Sequence, residues 1–368
     1  MRIINDTKLD FKDVLMQPKR SSIDSRSAVC LYRDFRFPHS KRKIKCTPII
    51  SANMDTTGSV SMNEKLSEER CLTALHKHYP AEYLINLFFN NPMPYAFYST
   101  GTSAKDLEKL DYVFGSLKSK NIELPNLCID VANGYTENFI KTCENIRRKY
   151  QDVVIMAGNV VTPEIVEELI MHGGIDIVKI GIGSGSVCTT RLKTGIGYPQ
   201  LSAIIDSAEA AHRLGGHICS DGGCTTPADI CKAFGANADF VMLGGMLAGT
   251  DCCEGDLQYE YKCVNKNGEW WQSANPGYDT EKRKVSLKFY GMSSKEAMGK
   301  HNGGVADYRT SEGKCVSIPY KGLTEDTIKD ILGGLRSCCT YIGSKSIKDI
   351  SKNTIFIKVN RTHNDIYQ

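Results

Sequence analysis

Asp176-Ile-Val-Lys-Ile-Gly-Ile-Gly-Ser-Gly-Ser-Val-Cys-Thr-Thr-Arg191 is the stretch on which the fold turns. A short, nearly continuous apolar run breaks into a loop of glycines, hydroxyls, one cysteine and one arginine. Runs apolar on both faces are what parallel strands covered by helices require. Glycines let the backbone that follows take positive φ and come close to a ligand. The same pattern recurs along the chain, and strands are predicted over 47–54, 71–77, 95–100, 126–132, 153–159, 176–182, 217–221 and 240–244. Each ends in polar or glycine-rich residues: Asn53-Met-Asp55, Lys77-His78, Gly101-Thr102, Asp130-Val-Ala-Asn-Gly134, Gly158-Asn159, the cysteine loop, Asp221-Gly-Gly223 and Gly244-Gly245. Helical patterns lie between them. Thr162-Pro-Glu carries a cap, a first-turn proline and an acid, and Pro199 opens a second run of helical period.

Eight strands with crossover segments predict an α/β fold, a (β/α)8 TIM barrel. A doubly wound open sheet is the alternative, because periodicity does not show closure. Polar residues gathered at strand carboxyl ends favour the barrel, where its chemistry sits. The chain reads as a single barrel domain over 1–368. One region breaks the pattern: 259–288 is polar, holds Trp270 and Trp271, and reads as an excursion, a hairpin or lid or, as the favoured plain reading, a surface insertion without catalytic role, with regular structure resuming at Phe289.

The 368 residues carry a net charge of +4 with no basic stripe, against a nucleic-acid surface. No apolar run reaches the roughly 20 residues that span a bilayer, and the charged start has no signal-peptide core. The 15 cysteines include no Cys-x-x-Cys pair, so reduced thiols in the cytoplasm are the expectation.

Most cysteines are packing residues. Cys188 differs, because backbone N–H groups and Arg191 nearby would favour its thiolate and make it a nucleophile. The glycine pairs after the seventh and eighth strands occupy the phosphate-binding loops of barrel enzymes, with tight turns as the plain alternative. Tyr308-Arg-Thr-Ser-Glu-Gly313 reads as a solvated loop, and Lys77 as an anion contact. His76 and His78 fall on one strand face without a third ligand, a poor metal site.

With these segments together, the chain resembles the IMP dehydrogenase/GMP reductase family over nearly its whole length. Leu9-Asp-Phe-Lys-Asp-Val-Leu15, Ala52-Asn-Met-Asp55, His76-Lys-His-Tyr79, Met156-Ala-Gly-Asn-Val160, Ser186-Val-Cys-Thr-Thr-Arg191, Thr194-Gly-Ile-Gly-Tyr-Pro-Gln200, Phe240-Val-Met-Leu-Gly-Gly-Met246 and Arg309-Thr-Ser-Glu-Gly-Lys314 carry the likeness. The resemblance is to the reductase branch and implies reduction of GMP to IMP by NADPH with release of ammonia. It implies that Cys188 attacks purine carbon 2, with Thr190 and Glu312 as hydroxyl and acid. It implies nucleotide contacts at Asp221, Gly222, Gly223, Gly244, Gly245, Gly291, Met292, Ser293, Arg309, Ser311 and Gly313. NADPH would meet Ser25, Arg26, Lys77, Asp130, Val131, Ala132 and Tyr308, and a neighbouring copy's Ser337, Cys338, Cys339 and Thr340. Gly183, Gly185, Cys188 and Arg191 would hold a monovalent cation, potassium. A homotetramer is implied.

Three departures stand out: Ser184 where the loop usually has proline, Cys338 where threonine is common, and the long 259–288 excursion. IMP dehydrogenase is the rival reading. It usually carries CBS modules after the second strand, for which 77–95 leaves no room, and an Arg-Tyr flap pair absent after the cysteine loop. A catalytically silent nucleotide-binding barrel is the other alternative.

Overall fold

The computed structural model describes residues 3–265, 267–275 and 281–360. The eight apolar runs form β1 (Ile49–Ser51), β2 (Leu72–Leu75), β3 (Ala96–Thr100), β4 (Asn126–Asp130), β5 (Ile155–Val160), β6 (Ile177–Ile180), β7 (His217–Asp221) and β8 (Phe240–Leu243). They pair in parallel in chain order, and β8 closes on β1 through Val241↔Ile49 and Leu243↔Ser51. Closure excludes the open sheet.

The crossovers are α1 (Val60–Glu68), α2 (Ala81–Asn90), α3 (Ala104–Ser119), α4 (Glu137–Lys149), α5 (Pro163–Met171), α6 (Gln200–Arg213) and α7 (Pro227–Gly235). Side-chain caps satisfy free N–H groups at several starts. Ser59, Ser103 and Thr136 accept from Met62, Asp106 and Phe139. Pro163 and Pro227 occupy first-turn positions that need no N–H donor.

Alternate strand residues fill the barrel: Ile50, Leu72, Ala74, Phe97, Cys128, Met156, Ile177, Cys219, Phe240 and Met242. A hairpin of Arg33–Arg36 with Lys43–Cys46 floors its N-terminal end, where Phe35 stacks on Phe240 with centroids 4.2 Å apart. Two fully buried carboxylates sit at this end. Asp176 faces Arg147 at 2.7 Å, and Asp239 faces Arg33 at 2.6 Å and His212 at 2.7 Å. No helix among the described residues is long and apolar enough to cross a membrane.

The excursion departs from the sequence expectation. β9 (Leu257–Asn265), β10 (Gly268–Gln272), β11 (Lys282–Tyr290) and β12 (Cys315–Pro319) form a four-stranded antiparallel sheet in the order β10-β9-β11-β12. Phe289 lies near the end of a long strand rather than at the return of regular structure. The stretch reads polar because much of the sheet is solvated. Leu287 and Phe289 are buried, and Phe289 packs with Val187 and Ala248 behind the cysteine loop. Residues 266 and 276–280 of the predicted insertion lie outside the described residues. Between β11 and β12 stands α8 (Lys295–Asn302), and α9 (Thr324–Ile342) returns along the barrel.

Candidate active site

The cysteine loop leaves β6 at the barrel's C-terminal rim and is locked to the loop after β7. Gly181, at φ +153°, passes so close that a Cβ there would lie 2.0 Å from the Asp221 carbonyl. Ser184 Oγ donates to that same carbonyl at 3.0 Å. The serine thus supplies a fastening where proline would have supplied stiffness. Cys188 N donates to Gly185 O at 3.0 Å, turning the thiol inward and leaving it half-buried.

The partner of this loop comes from far along the chain. Cys188 forms an isolated antiparallel bridge with Gly313. Thr189 N donates to Glu312 O at 2.8 Å, and Lys314 N to Val187 O at 2.9 Å. This backbone zipper brings three side chains into one chain of hydrogen bonds. Cys188 Sγ donates to Thr190 Oγ1 at 3.2 Å, and Thr190 Oγ1 to Glu312 Oε2 at 2.8 Å. A thiol, a hydroxyl and a carboxyl in series can move a proton to or from a group bound at the sulfur.

The glycine loops flank the thiol. Gly222 and Gly223 have φ of +87° and +86°, and a Cβ on Gly222 would meet Ser184 Oγ at 2.6 Å. A Cβ on Gly245 would meet Ser186 Oγ at 2.9 Å, and one on Gly244 the Met54 sulfur at 3.0 Å. Both predicted phosphate loops therefore abut the cysteine loop. Gly291, Met292, Ser293 and Gly313 form a turn against it. Ser293 O accepts from Glu312 N at 3.1 Å, and Ser311 Oγ donates to Gly313 O at 3.0 Å. Arg309 and Tyr308 stand exposed, Tyr308 at 88%.

Sequence reading missed the residue that joins the two halves of the rim. Lys179, 2% exposed inside β6, reaches Asp130 on one side and Asp221 at 2.9 Å on the other. Burial works against its charge, but the two carboxylates outweigh burial and hold its pKa well above the usual lysine value. Burial raises and Lys179 lowers the Asp130 pKa, with the net shift downward. Asn159 Nδ2 also donates to Asp221 at 2.9 Å. The signal was a lysine within an apolar run, which only a buried counter-charge explains.

Lys77 Nζ lies 3.2 Å from Asp106 Oδ2, beside Gly101, where a Cβ would approach the ammonium to 3.1 Å. Val131 and Ala132 follow Asp130 at the open rim. His76 and His78 lie in the turn past the end of β2 rather than on a strand face, and a third ligand-type group does approach His78: Asp55, His78 and His301 place ligand atoms within 4.8 Å of one another. The third residue comes from α8, beyond the reach of local spacing.

Two expectations need correction. The Arg191 guanidinium turns from the cysteine to Asp10 Oδ2 at 3.3 Å and Tyr198 O at 2.5 Å. Gly183 and Gly197 pack around its stem and fix that direction. Cys339 is fully buried, because helical spacing puts it on the core face of α9 with Leu335 and Ile342. Ser337, Cys338 and Thr340 remain half-buried.

The segment 337–340 lies about 20 Å along α9 from its start at the rim, where Thr324 N is fixed to Asp251 at 2.7 Å. The turn Arg26–Ala28, capped by Ser25, packs on α9. One chain does not bring this group to Cys188. In the predicted cation loop, Gly185 O accepts from Cys188 N and Arg191 O from Gly195 N. Each carbonyl keeps a second lone pair, a donor type suited to an alkali ion.

Comparison with known proteins finds one domain family over most of the chain and relatives over all of it. The IMP dehydrogenase / GMP reductase domain matches residues 104–269 and 272–365. The chain is 50% identical over 368 residues to a GMP reductase of Phytophthora infestans, covering all of this chain and 94% of the relative. It is 49% identical over 368 residues to GMP reductase 1 of Rattus norvegicus, covering all of this chain and 99% of the relative. Over 374 residues it is 50% identical to a GMP reductase of Vibrio cholerae, at 100% and 99% coverage.

Proposed function

The chain belongs to the IMP dehydrogenase/GMP reductase family, and we propose that it converts GMP to IMP and ammonia at the expense of NADPH. The observation that carries this reading is the hydrogen-bonded series Cys188–Thr190–Glu312. Binding a nucleotide needs no thiol coupled to an acid, whereas expelling an amine from a purine needs both.

In this reading the loops of Asp221, Gly222 and Gly223 and of Gly244 and Gly245 hold the phosphate and ribose. Gly291, Met292, Ser293, Arg309, Ser311 and Gly313 surround the base. Cys188 passes its proton through Thr190 to Glu312 as its sulfur bonds to carbon 2. The exocyclic amine leaves as ammonia after Glu312, through Thr190, supplies a proton, and a thioimidate remains. General acid assistance of this kind contributes about 10²–10⁴-fold. After reduction at carbon 2, the C–S bond breaks and Cys188 is regenerated.

The residues at the open rim suit a dinucleotide. Lys77 is a half-exposed cation over the Gly101 cradle, Asp130 is a rim carboxylate, and Tyr308 offers an exposed ring. When bound there, NADPH supplies the hydride. Val131 and Ala132 line the same opening, and Ser25 and Arg26 suit an adenosine 2′-phosphate. This arrangement calls for a homotetramer, in which Ser337, Cys338 and Thr340, too far down their own α9 to reach Cys188, serve a neighbour's cofactor, while Cys339 stays in the core. Gly183, Gly185, Cys188 and Arg191 would hold potassium through carbonyl oxygens and keep the loop in shape. We read the chain as one catalytic domain acting in the cytoplasm.

The dehydrogenase alternative is disfavoured by the connection from β2 to β3, which α2 alone fills. Purified protein given GMP and NADPH should lose the reduced-cofactor absorbance and release ammonia in equal amounts. NADH formation from IMP and NAD, without GMP-dependent NADPH oxidation, would overturn the reading.

A further inference from the structure

The Glu312 acid stands on a segment that belongs to the excursion, not to the barrel, and one buried carboxylate fastens that segment. Asp55 follows β1 and is 4% exposed. Its Oδ2 accepts from Tyr290 OH at 2.8 Å, lies 2.6 Å from His301 Nε2 and 3.3 Å from Lys300 Nζ. Tyr290 is the last residue of β11, and His301 is in the last turn of α8. Asp55 therefore grips both ends of the stretch 290–301.

The middle of that stretch is the seat of Glu312. Ser294 N closes the Gly291 turn at 2.9 Å, and Ser294 Oγ caps α8 by accepting from Ala297 N at 3.1 Å. Ser293 O takes the Glu312 amide, and a Cβ on Gly313 would lie 2.9 Å from Ser294 N. The ring of His78 stacks on His301 with centroids 3.3 Å apart and planes within 5°, bracing the imidazole from behind.

The same three residues could suggest a metal ion. Two rings stacked face to face cannot both aim in-plane lone pairs at an ion between them, and the Lys300 ammonium already attends the carboxylate. The arrangement is that of a latch closed by hydrogen bonds, with charge on at least one partner, which makes such bonds short and strong.

We propose that Asp55 and His301 are positioning residues: their carboxylate–imidazole latch fixes the Gly291–Ser294 turn and, through it, the Glu312 carboxyl against Thr190. This rests on reading Glu312 as the proton donor for the departing amine.

The test is a double-mutant cycle in the full-length protein. His301→Ala should lower kcat for GMP reduction about ten- to thirtyfold, the scale of losing one charge-assisted hydrogen bond. His301→Gln keeps an N–H toward Asp55 and should stay within about threefold of wild type. In the Glu312→Gln background, His301→Ala should cost less than about twofold, because its effect passes through the carboxyl already removed. Effects that simply multiply, or a glutamine as damaging as alanine, overturn the latch. Tyr290→Phe enters the same cycle should His301→Ala fail to fold. Hydrogen exchange separates this inference from the reaction assignment. Amides of 291–294 and 312–314 should exchange at least about tenfold faster in His301→Ala, as a local opening made easier. Unchanged exchange overturns the latch whatever the activity, while a wild type inert toward GMP and NADPH overturns the assignment alone.

Discussion

At the N-terminal rim of the barrel, Asp176 and Asp239 are sealed from water and each meets an arginine of its own, Arg147 or Arg33. At the C-terminal rim, Asp130 and Asp221 remain partly open, with side chains 32% and 22% exposed, and share one lysine. The N-terminal set is complete: Asp176 also accepts from the backbone N–H of His39 and Ile155 at 3.1 Å. The C-terminal set has oxygens to spare, and acceptors left at a rim can receive the hydroxyls of a ligand. The same residue type is spent on cohesion at one end and kept available at the other, in keeping with the division of labour in barrels.

The strongest way to break this comparison is at the open rim. Cys188→Ala should lower GMP-dependent NADPH oxidation by at least about 10³-fold and leave the thermal midpoint within about 1 °C of wild type. An equal loss of stability would mean that the thiol is packing. At the sealed rim, Arg147→Ala should do the reverse. It strands a buried carboxylate and should cost about 3–5 kcal/mol in urea unfolding, with KM for GMP unchanged in the folded fraction. Glu312→Gln comes next: the ammonia burst in single turnover should slow about 10²-fold, more than the hydride step, and equal slowing of both would remove the acid role.

The Asp239 cluster sharpens the comparison through pH. Burial opposes its charge, but His212, His217 and Arg33 prevail and hold Asp239 well below the usual carboxylate range. Burial also lowers His217, and Asp239 outweighs it, so the imidazole pKa is raised. The carboxylate's contribution is present above its unfolded pKa and lost as pH falls through the folded value. The imidazole's is full below its unfolded pKa and lost as pH rises through the folded one. Both are complete between about pH 4 and 6.5. The thermal midpoint of wild type should exceed that of Asp239→Asn most in this window, with the gap narrowing on both sides. The smallest effect belongs to Ser184→Ala, which loses one hydrogen bond to Asp221 and should cost about 1 kcal/mol, read as a severalfold rise in KM for GMP.

Much of this was legible in the chain. Apolar runs ending in polar residues located all eight strands, because burial on both faces favours a nearly continuous apolar run. The cysteine loop and both glycine pairs were legible because backbone crowding admits glycine alone at positions such as Gly181 and Gly222. The excursion was legible as an exception but not as a four-stranded sheet, because most of its side chains face water and carry no periodic signal. Arg191 was misplaced for a related reason. Proximity in sequence set it beside Cys188, while Asp10 and the Tyr198 carbonyl, brought in by folding, drew it away.

The amino-acid sequence by itself determined the strands, their covering helices and the loop that bears the thiol. All of these are local matters of periodicity, capping and backbone freedom. Only the tertiary structure decided which distant groups meet: Glu312 against Thr190, Lys179 between Asp130 and Asp221, and Asp55 beneath Tyr290 and His301. Partners separated by 42 to 246 positions leave no mark in local spacing. What joins them is the closure of the barrel and the fold of the excursion over its mouth.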